Sequence, residues 1–199
     1  MSFERLSEGH LPLVDAFCCV ETPEMLKGCK SDERRRIKKH SQEMEDFLKK
    51  EAFAEQEQGM STTYVLLNED STQILAYLSL CNDSINLELE EREDAGITYH
   101  SAPSLKIARL AVATNMMGQG VGRSLIEYSA MQAYFIREYS GVFFLTLDCY
   151  AHRLSFYEHI GFVKNLRQPV QLEFDSPISM RIALDTYLET IAQTQATIE

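Results

Sequence analysis

Three glycines in five residues, Gly118, Gly120 and Gly122, separate a strand-like run ending at Val112 from a segment with helical apolar spacing that begins at Val121. Such a chain passes from strand to helix through a loop that leaves backbone amides uncovered. The first N–H groups of a helix have no partner inside it, and the helix dipole favours an anion at that end. Met117-Gly118-Gln119-Gly120-Val121-Gly122-Arg123-Ser124 therefore reads as a phosphate cradle. Three loop chemistries compete. A dinucleotide loop needs glycine at its first, third and sixth places; counted from Gly118 the sixth is Arg123, and from Gly120 it is Leu125, so both registers fail. A P-loop needs Gly-x-x-x-x-Gly-Lys-Ser/Thr. Gly122-Arg123-Ser124 imitates its end, but Met117 replaces the first glycine and Arg123 the lysine. The third chemistry is a pyrophosphate loop for coenzyme A.

The flanks give a coarse element order. Leu13, Val14, Phe17 and Cys18 keep helical spacing, and a second helix carries Met44, Phe47, Leu48, Ala52 and Phe53 before Gly59 stops it. Residues 62–67 and 74–80 read as a hairpin across the turn Asn68-Glu69-Asp70-Ser71. Residues 83–94 hold six acidic residues and one Arg, and with Ser101-Ala102-Pro103-Ser104 they read as a solvated connection. A strand follows over Leu105–Val112, then a helix from Val121 to Tyr139 with Val121, Leu125, Tyr128, Phe135 and Tyr139 as its apolar positions. Val142–Cys149 reads as an interior strand covered on both faces. Arg153–Ile160 is a short helix ended by Gly161. Two strands, near Val163 and over Ile178–Leu184, precede a helical tail from Thr186. A single domain over residues 1–185 is expected, with a helical N-terminal region over residues 1–60, a ligand-binding core 105–165 and a tail 186–199.

Composition narrows the function classes. At 199 residues a single domain buries roughly 70% of its unfolded surface and needs no staples. Net charge −11 opposes a chain that coats nucleic acid or anionic membrane. The one basic stretch is Lys27–Lys39, with seven Lys or Arg against Asp32 and Glu33. The cysteines, Cys18, Cys19, Cys29, Cys81 and Cys149, are odd in number and form no C-x-x-C pair, so reduced thiols and no metal are expected. No secretory signal or membrane-length apolar run is visible, and a cytoplasmic location follows as the default.

The order Leu110-Ala111-Val112, Gly118-Gln119-Gly120-Val121-Gly122, the strand to Cys149, and Phe156-Tyr157-Glu158-His159-Ile160-Gly161-Phe162 resembles the GCN5-related N-acetyltransferase (GNAT) superfamily over about residues 105–165. Residues 62–81 match the family's first hairpin. Met44–Tyr64 looks like the bacterial branch that includes toxins acetylating tRNA. The resemblance implies an α+β fold, with a mixed, largely antiparallel central sheet flanked by helices. It implies acetyl-CoA as acyl donor, and no metal. In the family the strand here at Leu105–Val112 splays from that at Val142–Cys149, and the pantetheine arm lies in the gap like an added strand. Carried over residue by residue, Leu110 N–H polarises the thioester carbonyl, and Ala111 and Val112 grip the arm. Met117, Gly118, Gln119, Gly120, Val121, Gly122, Arg123 and Ser124 hold the pyrophosphate. Tyr157 protonates the departing sulfur.

Two positions depart from the pattern. Met117 stands where Gln or Arg is usual, and Tyr150 where many members have Asn, which puts cofactor contact by Tyr150 in question. An amine acceptor needs a base or water to take its proton, because a lysine-like amine has a pKa near 10.4; Asp148, His152 and His100 stay open as candidates. The resemblance implies an amine acceptor, a small molecule, an antibiotic or a protein amine. A charged tRNA, as in the toxin branch, is opposed by net charge −11. A homodimer is compatible with the family, and no membrane partner is expected. Competing readings are a non-catalytic acyl-CoA-binding or partner-binding module of the same fold, and a nucleotide triphosphatase built on Gly122-Arg123-Ser124.

Overall fold

The computed structural model describes residues 1–168 and 176–198. Its strands are β1 (Ser2–Arg5), β2 (Thr62–Leu67), β3 (Ile74–Asn86), β4 (Ser101–Val112), β5 (Phe144–Cys149), β6 (Val163–Lys164) and β7 (Ile178–Ala183). Its helices are α1 (Leu11–Val14), α2 (Ser31–Lys50), α3 (Ala52–Glu57), α4 (Leu89–Ala95), α5 (Val121–Ile136), α6 (Leu154–Ile160) and α7 (Leu184–Ile198). The seven strands form one sheet in the order β1-β2-β3-β4-β5-β7-β6. β4 and β5 run parallel, as the α5 crossover between them requires. The pairs β1–β2, β2–β3, β5–β7 and β6–β7 are antiparallel. The expected α+β fold, with a mixed and largely antiparallel sheet, is what the chain adopts.

The chain divides into two compact units, and β3, β4 and α5 each carry it from one to the other. The first comprises Met1–Leu80 and Ala108–Leu125. Its core gathers Leu6, Val14, Phe17, Phe47, Leu48, Val65, Tyr77, Ala111 and Ala113. Tyr77 is fully buried, stacks with Phe47 at 6.2 Å and meets Phe17 edge-on at 5.6 Å. Its hydroxyl donates to the Met44 carbonyl at 2.6 Å, which satisfies the one polar atom the ring brings inside. α2 forms because Ile37, Phe47 and Leu48 line one side while charge covers the other. Asp32 and Glu33 sit in its first turn and Lys49 and Lys50 in its last, each sign matched to the dipole. α1 is shorter than the apolar spacing suggests: it ends at Val14, and Phe17 and Cys18 follow it. β1 is a strand the N-terminal residues do not announce, ordered by pairing with β2 from Ser2↔Leu67 to Arg5↔Tyr64.

The second unit comprises Cys81–Ile107 and the chain from Ile126 onward. β5 is its central strand. It pairs with β4 from Ser104↔Phe144 to Ile107↔Leu147 and with β7 from Phe144↔Ala183 to Cys149↔Ile178. Leu145, Thr146 and Leu147 are all buried, as expected of an interior strand. The acidic residues 83–94 are not a loose connection: they hold the end of β3 and most of α4. Ile85 and Leu87 are buried, and Glu91 accepts the Glu88 N–H at 2.9 Å to cap α4. Burial and a buried partner for Glu91 override the solvated composition. Residues 101–104 likewise begin β4 rather than a loop. Pro103 fits there because it is exposed and its carbonyl accepts the Phe143 N–H at 2.8 Å.

α5 ends at Ile136, and its buried face is Val121, Leu125, Ile126, Ser129, Ala130 and Ala133. Phe135 and Tyr139, expected on that face, are exposed, because the small residues take the packed side. Gly161 ends α6 at φ +110°, as its position suggests. The tail is helical as α7, which starts two residues before Thr186; Glu199 lies outside the described residues.

Candidate active site

β4 continues past its ladder with β5 through Ala108, Arg109, Leu110, Ala111 and Val112. Ala111 is buried in the core of the first unit, while Leu110 and Val112 are half-buried. The strand exit is fastened twice. Ala113 N–H donates to the Leu75 carbonyl at 2.8 Å, and Thr114 N–H to the Cys18 carbonyl at 2.9 Å. The Thr114 hydroxyl lies 2.9 Å from the Val20 carbonyl and 3.2 Å from that of Cys18. Thr114–Met116 then turns, and Met116 and Met117 pack against the core. The Met117 side chain is thus spent on packing, which leaves its backbone for a ligand.

The loop beyond is open. Gly118 and Gly120 have φ of +77° and +83°, and a Cβ at either would meet nothing within 4 Å. The glycines are required by backbone conformation, and the space above them is empty of protein. Gln119 reaches back to the Asn115 carbonyl at 2.8 Å. Arg123 and Ser124 N–H both donate to the Gly120 carbonyl, at 2.9 and 3.2 Å, which closes the first turn of α5. The preceding amides, Gly118 to Gly122, find no acceptor among the tertiary hydrogen bonds of the described residues. Val121 is buried, whereas Arg123 and Ser124 are exposed. A row of undonated amides, a helix N-terminus and an adjacent cation suit a pyrophosphate.

Tyr157 lies on α6, in the second unit. Its ring contacts Phe156 at 5.0 Å and Phe162 at 5.9 Å, both edge-on. Its carbonyl accepts the Phe162 N–H at 3.1 Å. Burial raises its hydroxyl well above the ordinary tyrosine value, with nearby Cys149 adding to the shift and Arg153 opposing it. The hydroxyl is therefore fully protonated at neutral pH and can act only as a donor or neutral acceptor. Cys149 is itself pushed up to about 11, first by burial and then by the charges of Asp148 and Glu158, so it is an inert thiol. Tyr150 is half-buried and stacks on His152 with ring centres 6.0 Å apart.

The three candidate bases have different surroundings. Asp148 accepts a 2.6 Å hydrogen bond from Lys106 Nζ. Burial works to lower Lys106, but the hydrogen bond and charge of Asp148 outweigh it and hold the ammonium above its usual value. Asp148 is thus engaged in an ion pair. His152 is half-buried against Tyr150, and the His100 side chain is exposed. Lys106 and Thr114 escaped the sequence reading, because a partner across strands or 96 residues away leaves no local pattern. Among the described residues no group of three or more His, Cys, Asp or Glu side chains could hold a metal ion, and no helix is long and apolar enough to cross a membrane. All five cysteines are free thiols.

A family model described as an acetyltransferase (GNAT) domain matches residues 59–164. Similar solved structures include a mutant of KacT, with TM-score 0.73 and 16% identity over 95% of this chain and 98% of that one. AtaT complexed with acetyl-methionyl-tRNAfMet gives TM-score 0.72 and 18% identity over 96% of this chain and 98% of that one. AtaTR bound with AcCoA gives 0.64 and 18% over 96% and 97%. At these identities the likeness is one of fold.

Proposed function

The chain belongs to the GNAT acetyltransferase family, and from that membership we propose that it is an acetyl-CoA-dependent N-acetyltransferase acting on a primary amine. The observation that carries the cosubstrate is the loop Met117–Ser124, with its left-handed Gly118 and Gly120 and its undonated amides. A cation in the first helical turn costs about 0.3–1 kcal/mol against the dipole; a bound pyrophosphate would offset that cost at Arg123. The residues present therefore fit the donor: Met117 to Ser124 around the pyrophosphate, and Ala111 and Val112 along the pantetheine arm as an added strand. Tyr150 is a further contact in this reading.

In the proposed reaction the amine attacks the thioester carbonyl directly. The Leu110 N–H polarises that carbonyl and stabilises the oxyanion of the tetrahedral intermediate, a contribution of typically about 10²–10³ in rate. Collapse expels coenzyme A as a thiolate, which takes a proton from the Tyr157 hydroxyl. Burial keeps that hydroxyl protonated, so it has a proton to give, but its raised pKa makes it a weaker acid and favours a partial contribution to sulfur protonation. The ion pair with Lys106 weakens the case for Asp148 as base and leaves His152, His100 or water to take the amine proton.

A second reading, a toxin-type aminoacyl-tRNA acetyltransferase, is favoured by one feature. Lys27, Lys30, Arg34, Arg35, Lys38 and Lys39 are all exposed on and just before α2. Net charge −11 opposes it, because nucleic-acid binders present broad basic surfaces.

Thermal denaturation with acetyl-CoA and with ATP tests the cosubstrate, since a ligand of the folded state raises Tm. Acetyl-CoA is expected to raise it and ATP to leave it unchanged; the reverse would make the loop a nucleotide site. An acceptor screen read by thiol release follows. Binding of acetyl-CoA without turnover on small amines, protein amines or charged tRNA would mark a non-catalytic acyl-CoA-binding module.

A further inference from the structure

We propose that Arg109 is an anion anchor for the acceptor, so that the amine acetylated here carries a carboxylate or phosphate within a few bonds of its nitrogen. The inference rests on the reading of β4 as the seat of the thioester. Arg109 immediately precedes Leu110 on β4 and alternates onto the face of Ala111 and Ala113, both buried in the core of the first unit. Its guanidinium lies over the Phe47 ring, 4.9 Å from the centroid. That cation–π contact holds the guanidinium against the ring.

One N–H of the fork donates to the adjacent Ala108 carbonyl at 2.8 Å. The group is half-buried, and among the described residues no carboxylate pairs with it. Arg181 and Arg137 differ in being paired, with Glu91 and Asp185 respectively. A partly desolvated cation without a counter-charge is costly unless something else supplies the anion. A guanidinium so held, with donors to spare, matches a carboxylate or phosphate two bonds at a time. The anion would then sit one residue from the amide proposed to hold the thioester carbonyl. Arg109 would thereby orient the acceptor amine and select against neutral amines.

The test uses isotope-labelled protein saturated with coenzyme A, so that the glycine loop is already filled. Sodium acetate and inorganic phosphate are titrated at constant ionic strength, and the backbone amide resonance of Leu110 is followed. A saturable shift with a millimolar Kd is expected from one anion or both. Acetate alone would point to a carboxylate acceptor, and phosphate alone to a phosphorylated one. In Arg109→Gln the response should vanish, and in the control Arg35→Gln it should persist. Arg109→Lys keeps the charge without the fork and should weaken binding about 10-fold; it also decides the matter if the Gln variant does not fold. Paired acceptors, an amino acid against its amide, should differ about 10-fold or more in kcat/KM in the wild type and converge in Arg109→Gln. No saturable shift, or an equal shift in Arg109→Gln, overturns the proposal. Failure of coenzyme A to bind at all, seen by calorimetry beforehand, would instead overturn the acetyl-CoA reading, and the Leu110 response would still judge Arg109.

Discussion

The turn after α6 and the turn before α5 both depend on glycine at positive φ, and their surroundings differ completely. A Cβ at Gly161 would come within 3.2 Å of Ile182 Cδ1, whereas one at Gly118 or Gly120 would meet nothing within 4 Å. Downstream of Gly161 the polar groups are satisfied internally. Asn165 N–H donates to the Ser179 carbonyl at 3.0 Å, Arg181 donates to Asn165 Oδ1 at 2.9 Å, and Leu166 N–H donates to Glu91 at 2.8 Å. Around Gly118 and Gly120 the amides are left without tertiary acceptors. Gly118, Gln119 and Gly120 are exposed, so these donors face solvent and stay accessible. One turn is thus finished by its own side chains, and the other leaves its donors open. Substitutions should follow that division: the closed corner should lose stability, and the open loop should lose ligand.

The largest effect is expected from Glu91→Ala. Glu91 and Arg181 are 3% and 9% exposed, and removing the carboxylate strands a buried guanidinium. Breaking such a pair costs about 3–5 kcal/mol, to be read from urea denaturation. A loss under about 1 kcal/mol would place the pair with exposed ones and remove the contrast.

Gly120→Val should act on the other side of the comparison. A side chain at φ +83° is strained by about 1–2 kcal/mol, so the protein still folds. Acetyl-CoA affinity should fall by more than about 100-fold, because the new side chain covers the amides that the pyrophosphate needs. Unchanged affinity in calorimetry would refute the loop as the donor site.

Tyr157→Phe keeps the ring contacts with Phe156 and Phe162 and deletes only the hydroxyl. It should lower kcat about 100-fold, the lower end for a general acid, and leave the acetyl-CoA Kd unchanged, because the proton moves only as the C–S bond breaks. A kcat within about threefold of wild type, below that range, would make Tyr157 a packing aromatic. Its raised pKa carries a pH signature too. The folded state keeps the proton above pH 10, where the unfolded chain releases it. The wild type should therefore lose stability as pH climbs past 10, and Tyr157→Phe should lose less. The alkaline limb of the rate profile owed to Tyr157 should also lie above pH 10.

The smallest expected change is none: turnover should survive EDTA, since the proposed steps use an amide N–H, a phenol and an amine, with no Lewis acid. Loss in EDTA restored by zinc or magnesium would contradict that chemistry.

Much of the site is local and could be read directly. The glycine spacing, the strand before it and the cap at Gly161 each follow from residues within one turn. β5 followed from its continuous apolar run, the mark of an interior strand covered on both faces. The failures share a cause. α4 was hidden because its acidic composition is that of a loop, and only the buried contact of Glu91 with Arg181, 90 residues away, makes it an element. β1 was hidden because its order comes from pairing with β2. Exposed Phe135 and Tyr139 misled the face of α5, where Ala130 and Ala133 carry the packing. The cation over Phe47 was invisible, because Arg109 and Phe47 are 62 positions apart in the numbering.

The fastening of Thr114 to the carbonyls of Cys18 and Val20 bears on the order in which the protein can be made. The first unit is assembled from Met1–Leu80 and Ala108–Leu125, so its opening 80 residues leave the ribosome with a strand position and several carbonyls still vacant. They must wait while the stretch 81–107, which belongs elsewhere, is synthesised; at about 5–20 residues per second that delay lasts seconds. Long-range closures of this kind slow folding relative to neighbouring contacts. The glycine loop thus acquires its geometry only when both ends of a chain segment nearly 100 residues long have met. A nascent chain halted before Thr114 would lack the glycine loop and the N-terminus of α5 altogether.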